Sequence, residues 1–353
     1  MNASELEPDM SSLKTVALLL AAILLTGQLA FAAPRSTVDR SVVESLLGGP
    51  KIVNIVDDFL LFWDAAKGKT LRRQRRMWKQ LVESKHQNYF DRAVYRNREP
   101  AERRAMLDEF LMRMPFHVEA IRKFNQTFSD YFVESFVSFK HSRFREYQQQ
   151  HDIYIGLSLF SFDGSVRPLH NDAGIPDTLC LGAEVLADYT PDQIKITIAH
   201  EFFHLYHFSF LFQQPSLSEI RSAHMALIIE GMAVAGTEEA FPYKERPLYL
   251  HFSEEDYLDQ NEVLAYSSER YLELVRKGAP PAEYEEWFSN EATDRVPPRG
   301  GYLLGYELTK RILAIFTLEQ LVRMTPEQLR EHTEEQLGAM AGEQLLLMAE
   351  FDD

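Results

Sequence analysis

Residues 197–208, TIAHEFFHLYHF, decide how the rest of the chain is read. They set three histidines and a glutamate in an otherwise apolar run. At roughly 100° per residue, His200 and His204 leave one side of a helix a turn apart, so both imidazoles can reach a single metal ion. Glu201 lies one step round, where a non-ligating carboxylate can orient and deprotonate a water. This is the HExxH arrangement, and neutral imidazole is a ligand that suits zinc. Upstream, Thr190-Pro191-Asp192-Gln193 supplies an N-cap, a proline at the first helical position, an acid in the first turn and a capping-box glutamine. These signals predict a helix over about 191–208.

A zinc site needs a third protein ligand. The HExxHxxGxxH continuation fails, because Leu205-Tyr206-His207 contains no glycine. A glutamate on a following helix is the other solution. Glu230 is the lone acid in the apolar run 225–235. Unpaired there, its carboxylate would be costly, and a metal removes that cost. Residues 215–219, PSLSE, provide the turn and cap between the two helices.

HEFFH followed by EGMA (residues 230–233) resembles the gluzincin metallopeptidases. More narrowly it resembles a bacterial group of predicted zinc-dependent proteases with no established substrate. That group carries an apolar strand before HExxH and a GYxxGY-like helix after it. Here these correspond to TLCLGAEVLA (178–187) and GYLLGY (301–306). The resemblance spans about 153–316. It implies a zincin-like core, one Zn²⁺ held by His200, His204 and Glu230, Glu201 as general base, and Tyr302 as a donor to the developing oxyanion. In many gluzincins an acid four residues after the ligand glutamate orients a histidine. Here that position is Val234, which leaves Thr237 or Glu238 as substitutes.

Composition bounds the rest. The 353 residues carry a net charge of −16, which argues against nucleic acid as a partner. Residues 15–25, TVALLLAAILL, have signal-peptide length and are short for a membrane span. Ala30-Phe31-Ala32 matches a small-x-small cleavage site. A cleaved signal peptide over 1–32 and export to the periplasm or medium are expected, with membrane contact only if the segment is retained. One cysteine, Cys180, excludes an internal disulfide.

The expected fold class is α+β and mostly helical, with a helical region over 36–150, a catalytic core over 151–323 and an acidic helical tail over 324–353. Residues 51–66 and 70–92 read as helices. A third runs from 100 until Pro115 breaks it, and a fourth then carries the stripe Phe124, Phe128, Phe132, Phe136 and Phe139 to the core. The basic run 67–79 reads as a solvated helix face. Ile153, Ile155, Leu157 and Leu159 alternate as a strand, Asp163-Gly164 signals a hairpin turn, and 166–169 and 178–187 pair with that strand. Residues 253–277 and 302–316 read as helices. His207 and His224 read as structural, and Arg167, His170 and Asn171 are candidates for the cleft rim that no sequence signal selects.

Two functions compete. One is an exported zinc peptidase acting on a peptide or protein substrate. The other is an exported scaffold that keeps a structural or vestigial zinc without turnover.

Overall fold

The computed structural model describes residues 40–214, 217–290, 293 and 296–351. The export segment expected over 1–32 and the turn residues Pro215 and Ser216 lie outside them. The fold is mostly helical with one small sheet. Its main elements are α1 (Arg40–Leu47), β1 (Ile52–Asn54), α2 (Ile55–Ala66), α3 (Leu71–Leu81), α4 (Pro100–His141), β2 (Ile153–Gly156), β3 (Gly164–Arg167), β4 (Thr178–Gly182), α5 (Pro191–Leu211), α6 (Ala223–Ala240), α7 (Glu254–Glu262), α8 (Leu264–Arg276), α9 (Gly300–Ile312) and α10 (Pro326–Phe351).

The N-terminal region is not wholly helical. Ile52 and Val53 are β-branched and form β1, parallel to β2 with Ile52 opposite Ile153. The Asn54 side chain accepts from the Asp57 N–H at 3.3 Å, so the helix begins only at Ile55. The helix expected over 70–92 ends at Leu81, where a 3₁₀ turn and a π-helical stretch, Phe90–Tyr95, replace it. Glu83 accepts from both Trp78 Nε1 and the Tyr95 hydroxyl and draws this bend together.

Pro115 does not break α4, which runs unbroken through it. An internal proline costs about 3 kcal/mol. Leu107, Phe110, Leu111 and Met114 before it, and Val118, Ile121 and Phe124 after it, all bury on the core side. That burial outweighs the lost bond, and Pro115 itself sits on the exposed face. The phenylalanine stripe is core. Phe132, Phe136 and Phe139 meet the ring of Phe202 at centroid distances of 5.3–5.7 Å, which fixes α4 behind α5. Arg72, Arg73 and Arg76 of α3 face solvent while Gln74 and Trp78 are buried, and Cys180 is a buried free thiol.

The sheet order is β1-β2-β4-β3. β2 and β4 are parallel, and β3 is antiparallel to β4. Asp163-Gly164 is therefore no hairpin turn between β2 and β3, since β4 lies between them. All five residues of β4 are buried, as suits a central strand. β4 ends at Gly182, and a short helix, Ala183–Leu186, takes the rest of the expected strand. The helix expected over 253–277 is two, joined at the β-branched Val263, whose ψ of 8° departs from helix.

Two sequence caps form as expected. Thr190 and Gln193 make the capping box of α5, and Thr325 and Gln328 cap α10. α6 and α9 come so close that Gly231 of one faces Gly305 of the other. A Cβ on Gly231 would overlap the Gly305 carbonyl and stand 2.5 Å from Thr309 Oγ1.

Candidate metal centre

α5 and α6 cross so that three side-chain atoms meet. His200 Nε2 lies 3.0 Å from His204 Nε2 and 3.2 Å from Glu230 Oε2, and His204 Nε2 lies 3.4 Å from the same oxygen. A tetrahedral zinc with bonds of 2.0–2.1 Å spaces its ligands by roughly 3.3 Å. The donor set therefore matches a metal in both chemistry and spacing. His200, Glu201 and His204 also offer ligand atoms within 4.8 Å of one another. Glu201 is the one of these not needed to close the triad.

The electrostatics ask for positive charge. Burial raises the Glu230 carboxyl, yet the His204 and His200 imidazoles overcome it and hold the group far below the usual range. Burial lowers His204, yet Glu230 overcomes it and the imidazole is raised. Burial leaves His200 lowered despite its bond to Glu230. Two imidazoles and a carboxylate aimed at one point repel unless a proton or a cation lies among them.

Glu201 points to the floor of the same cleft. Burial pushes its carboxyl up to about 8, with His204 opposing and Glu230 and Asp163 reinforcing the shift. Its Oε2 is buried with no hydrogen-bond partner among the described residues. A Cβ on Gly164 would stand 2.7 Å from Glu201 Cγ, so only glycine lets the edge strand β3 lie directly over the acid. Tyr302 comes from α9. Its ring centre lies 6.3 Å from that of His200, and burial, with Glu230 adding to it, keeps the hydroxyl protonated well above its ordinary range.

The cleft holds about 210 Å³ and is lined by His200, Glu201, His204, Glu230 and Tyr302 together with residues the sequence did not assign to the site: Asp163, His251 and Arg299. Asp163 Oδ1 accepts from the Gly164 N–H at 2.7 Å and Oδ2 from the Tyr189 hydroxyl at 2.9 Å. Burial opposes its charge, but Arg299 and His251 prevail and its carboxyl is lowered. Thr197 Oγ1 donates to the Gln193 carbonyl, so His251 Nε2–H donates to Thr197 at 3.2 Å. These residues come from four separate segments. The only sequence signal was the DG pair, which was read as a turn.

Some expectations for the surrounding residues are met here and others are corrected. Neither Thr237 nor Glu238 supports a histidine. The Thr237 hydroxyl bonds the Ala233 carbonyl, and Glu238 bonds Tyr306 and Lys310. Val234 is buried in an apolar cluster with Ile196, Tyr249 and Leu303. His204 Nδ1 has no partner among the described residues. His207 is fully buried with neither ring nitrogen bonded among the described residues, and burial pushes it down to about 3. His224 is structural, bonded to Ser222 and the Pro326 carbonyl. Arg167 and Asn171 line a neighbouring cavity rather than this cleft.

The profile of one protein family, described as "Predicted Zn-dependent protease (DUF2268)", matches residues 142–331, more than half of the 353. The chain belongs to this family. No curated protein and no solved structure matches it. The matched span holds β2, β3, β4, α5, α6 and α9, the elements that build the cleft.

One buried acid of this span anchors the approach to the site. Glu184 Oε1 accepts from Ser158 Oγ–H at 2.8 Å and from the Phe160 N–H at 2.9 Å. It thereby holds a loop in which Leu159 and Phe160 both have positive φ, and that loop delivers Asp163 and Gly164 to the cleft. Burial pushes the Glu184 carboxyl up to about 7 from 4.5. The folded state thus binds the proton more tightly than the unfolded one. Stability is lost as pH rises from about 4.5 to about 7 and stays lost above. Glu184→Gln keeps the accepting oxygen and cannot ionise. Denaturant unfolding should show the variant gaining about 2.5 kcal/mol on wild type between pH 5 and pH 8. Identical pH slopes for the two proteins would refute this.

Proposed function

We propose that the protein is a zinc-dependent peptidase with a zincin-like core of the gluzincin kind. The observation that carries this reading is the meeting of His200 Nε2, His204 Nε2 and Glu230 Oε2 beside the buried Glu201. Membership of a family described as zinc-dependent proteases supports it. A zinc ion held by those three atoms would polarise a scissile carbonyl and acidify a water.

The chain's own residues supply the rest. Gly182 N–H donates to the Asp163 carbonyl, so residue 163 turns its hydrogen-bonding groups toward β4. Strand alternation then leaves the Gly164 carbonyl and the Val166 N–H and carbonyl on the outer edge of β3. An extended peptide can add there as a further strand, which lays its backbone over Glu201. Glu201 takes the proton of the attacking water on its carboxylate and passes it to the leaving amine. The Tyr302 hydroxyl donates to the carbonyl oxygen as negative charge develops there.

The scaffold reading draws on two observations, the apolar Val234 and the unpartnered His204 Nδ1. A partner that holds the far nitrogen of a ligand histidine typically contributes 10–100-fold in metal affinity or activity, so its absence weakens a site without abolishing it. Export remains part of the proposal through the apolar segment 15–25. Among the described residues no helix is long and apolar enough to cross a membrane.

Elemental analysis tests the metal. The purified protein should carry about one zinc per chain, and His204→Ala or Glu230→Ala should each remove it. Circular dichroism would confirm that the variants are folded. Unchanged zinc in both variants would overturn the assignment.

A further inference from the structure

The cleft has two unlike ends. Val166, Pro176 and Phe208 line one end and also line larger neighbouring cavities, so the cleft continues there into an open groove. The other end is formed by Asp163, Tyr249, His251 and Arg299. Tyr249 and Thr197 are buried there, and none of the four residues that form this end lines the neighbouring cavities, so the cleft does not continue into them here.

Arg299 gives that end its chemistry. Its Nε donates to the Leu250 carbonyl and its Nη1 to Asn290 Oδ1, both at 3.1 Å. A guanidinium has five N–H groups, so these two anchors leave the outer part of the fork uncommitted. No carboxylate lies within ion-pair distance of Arg299 among the described residues. The nearby Asp163 already accepts from Gly164 and Tyr189, and these bonds hold it in place as a fixed counter-charge. The Arg299 backbone has a φ of 54°, a left-handed conformation that a non-glycine residue seldom adopts. Its guanidinium carbon lies over the Tyr302 ring, 4.1 Å from the ring centre.

Direction and reach identify the ligand. An added strand pairs more stably antiparallel than parallel, and β3 runs from Gly164 to Arg167. A peptide added antiparallel therefore runs with its C-terminal side toward Asp163 and Arg299. The Tyr302 ring lies 6.3 Å from that of His200 and 4.1 Å from the guanidinium, so Arg299 stands no more than about 10 Å from the His200 ring. At roughly 3.3–3.6 Å per extended residue, and with room for the contact itself, only one or two residues fit beyond the scissile bond.

We propose that Arg299 binds the free C-terminal carboxylate of the substrate, which makes the protein a carboxypeptidase releasing one or two residues. The planar fork of arginine matches a carboxylate bidentately, which a neutral terminus cannot exploit. The reaction is hydrolysis. The amide C–N bond breaks, water supplies hydroxide to the carbonyl carbon, and the water's proton reaches the leaving amine through Glu201. The inference rests on the peptidase reading and adds the substrate class to it.

The test uses matched peptides ending in a free acid or a C-terminal amide, with zinc-loaded protein and mass-spectrometric products. The acids should lose one or two C-terminal residues, and the amides should react roughly 10–100-fold more slowly in kcat/KM. Arg299→Gln should bring that ratio close to one, while Arg299→Lys keeps part of it. A second measurement needs no turnover. Titration of metal-free protein with an N-acetylated tetrapeptide acid and its amide should show tighter binding of the acid, and Arg299→Gln should erase the difference. Equal cleavage of acids and amides at internal bonds overturns the Arg299 assignment and leaves the peptidase reading standing. Cleavage of no peptide by wild type overturns the peptidase reading. The titration then decides Arg299 alone, and equal affinity for acid and amide overturns it.

Discussion

Glu201→Gln is expected to lower peptide turnover by roughly 10²–10⁴-fold while zinc content and melting temperature stay near wild type. The substitution keeps the shape of a largely buried side chain that lines the cleft and removes only its ability to accept a proton. Ionisation at this site is already unfavourable, because burial pushes the carboxyl up to about 8. Loss of that charge should therefore not destabilise the fold. The three atoms that meet at the proposed zinc position come from His200, His204 and Glu230, so the metal should stay. A scaffold with a structural zinc has no use for a general base beside it. Wild type and Glu201→Gln that bind zinc alike and are equally inert on a broad peptide library would establish the scaffold reading.

Gly231→Ala should cost about 3 kcal/mol of stability and about 100-fold in activity together, although it adds one methyl group. That methyl would overlap the Gly305 carbonyl. The obstacle is backbone, which cannot swing aside as a flexible side chain could, so α6 and α9 must separate. Glu230 adjoins Gly231 and Tyr302 lies one turn before Gly305, so separation displaces both from His200. Gly342→Ala is the control. Nothing lies within 4 Å of its Cβ position in α10, and helix propensity favours alanine by about 1 kcal/mol. Thermal unfolding and peptidase assays of both variants check this. A Gly231→Ala protein as stable and active as wild type would show that the two helices do not need this contact.

The site's primary donors were legible in the sequence because each is announced within a turn or two of chain. Spacing of four places His200 and His204 on one helical face, Thr190 and Gln193 mark where that helix starts, and Glu230 stands out against its apolar neighbours. The phenylalanine stripe of α4 was legible for the same reason. Local signals misled where a longer-range energy overrode them. Pro115 reads as a break, but burial on both sides of it carries the helix through. Residues 52–54 read as the start of a helix, but Asn54 delays the cap and β2 supplies a partner strand. Residues 166–169 read as pairing with β2, but the fully buried β4 takes the place between them.

By itself the sequence determined the helix expected over 191–208, which the fold extends to Leu211, the four polar groups of the proposed zinc site and the mostly helical class. These depend on hydrogen bonds and side-chain spacing within a few residues, which the order of amino acids encodes directly. Only the tertiary structure decided that β3 lies at the sheet edge over Glu201, that Gly231 and Gly305 lock α6 to α9, and that Asp163, Tyr249, His251 and Arg299 form one end of the cleft. Those four residues share no periodicity and come from three segments far apart along the chain. Their proximity is set by how helices and sheet pack, a property of summed surfaces that no single stretch of sequence carries.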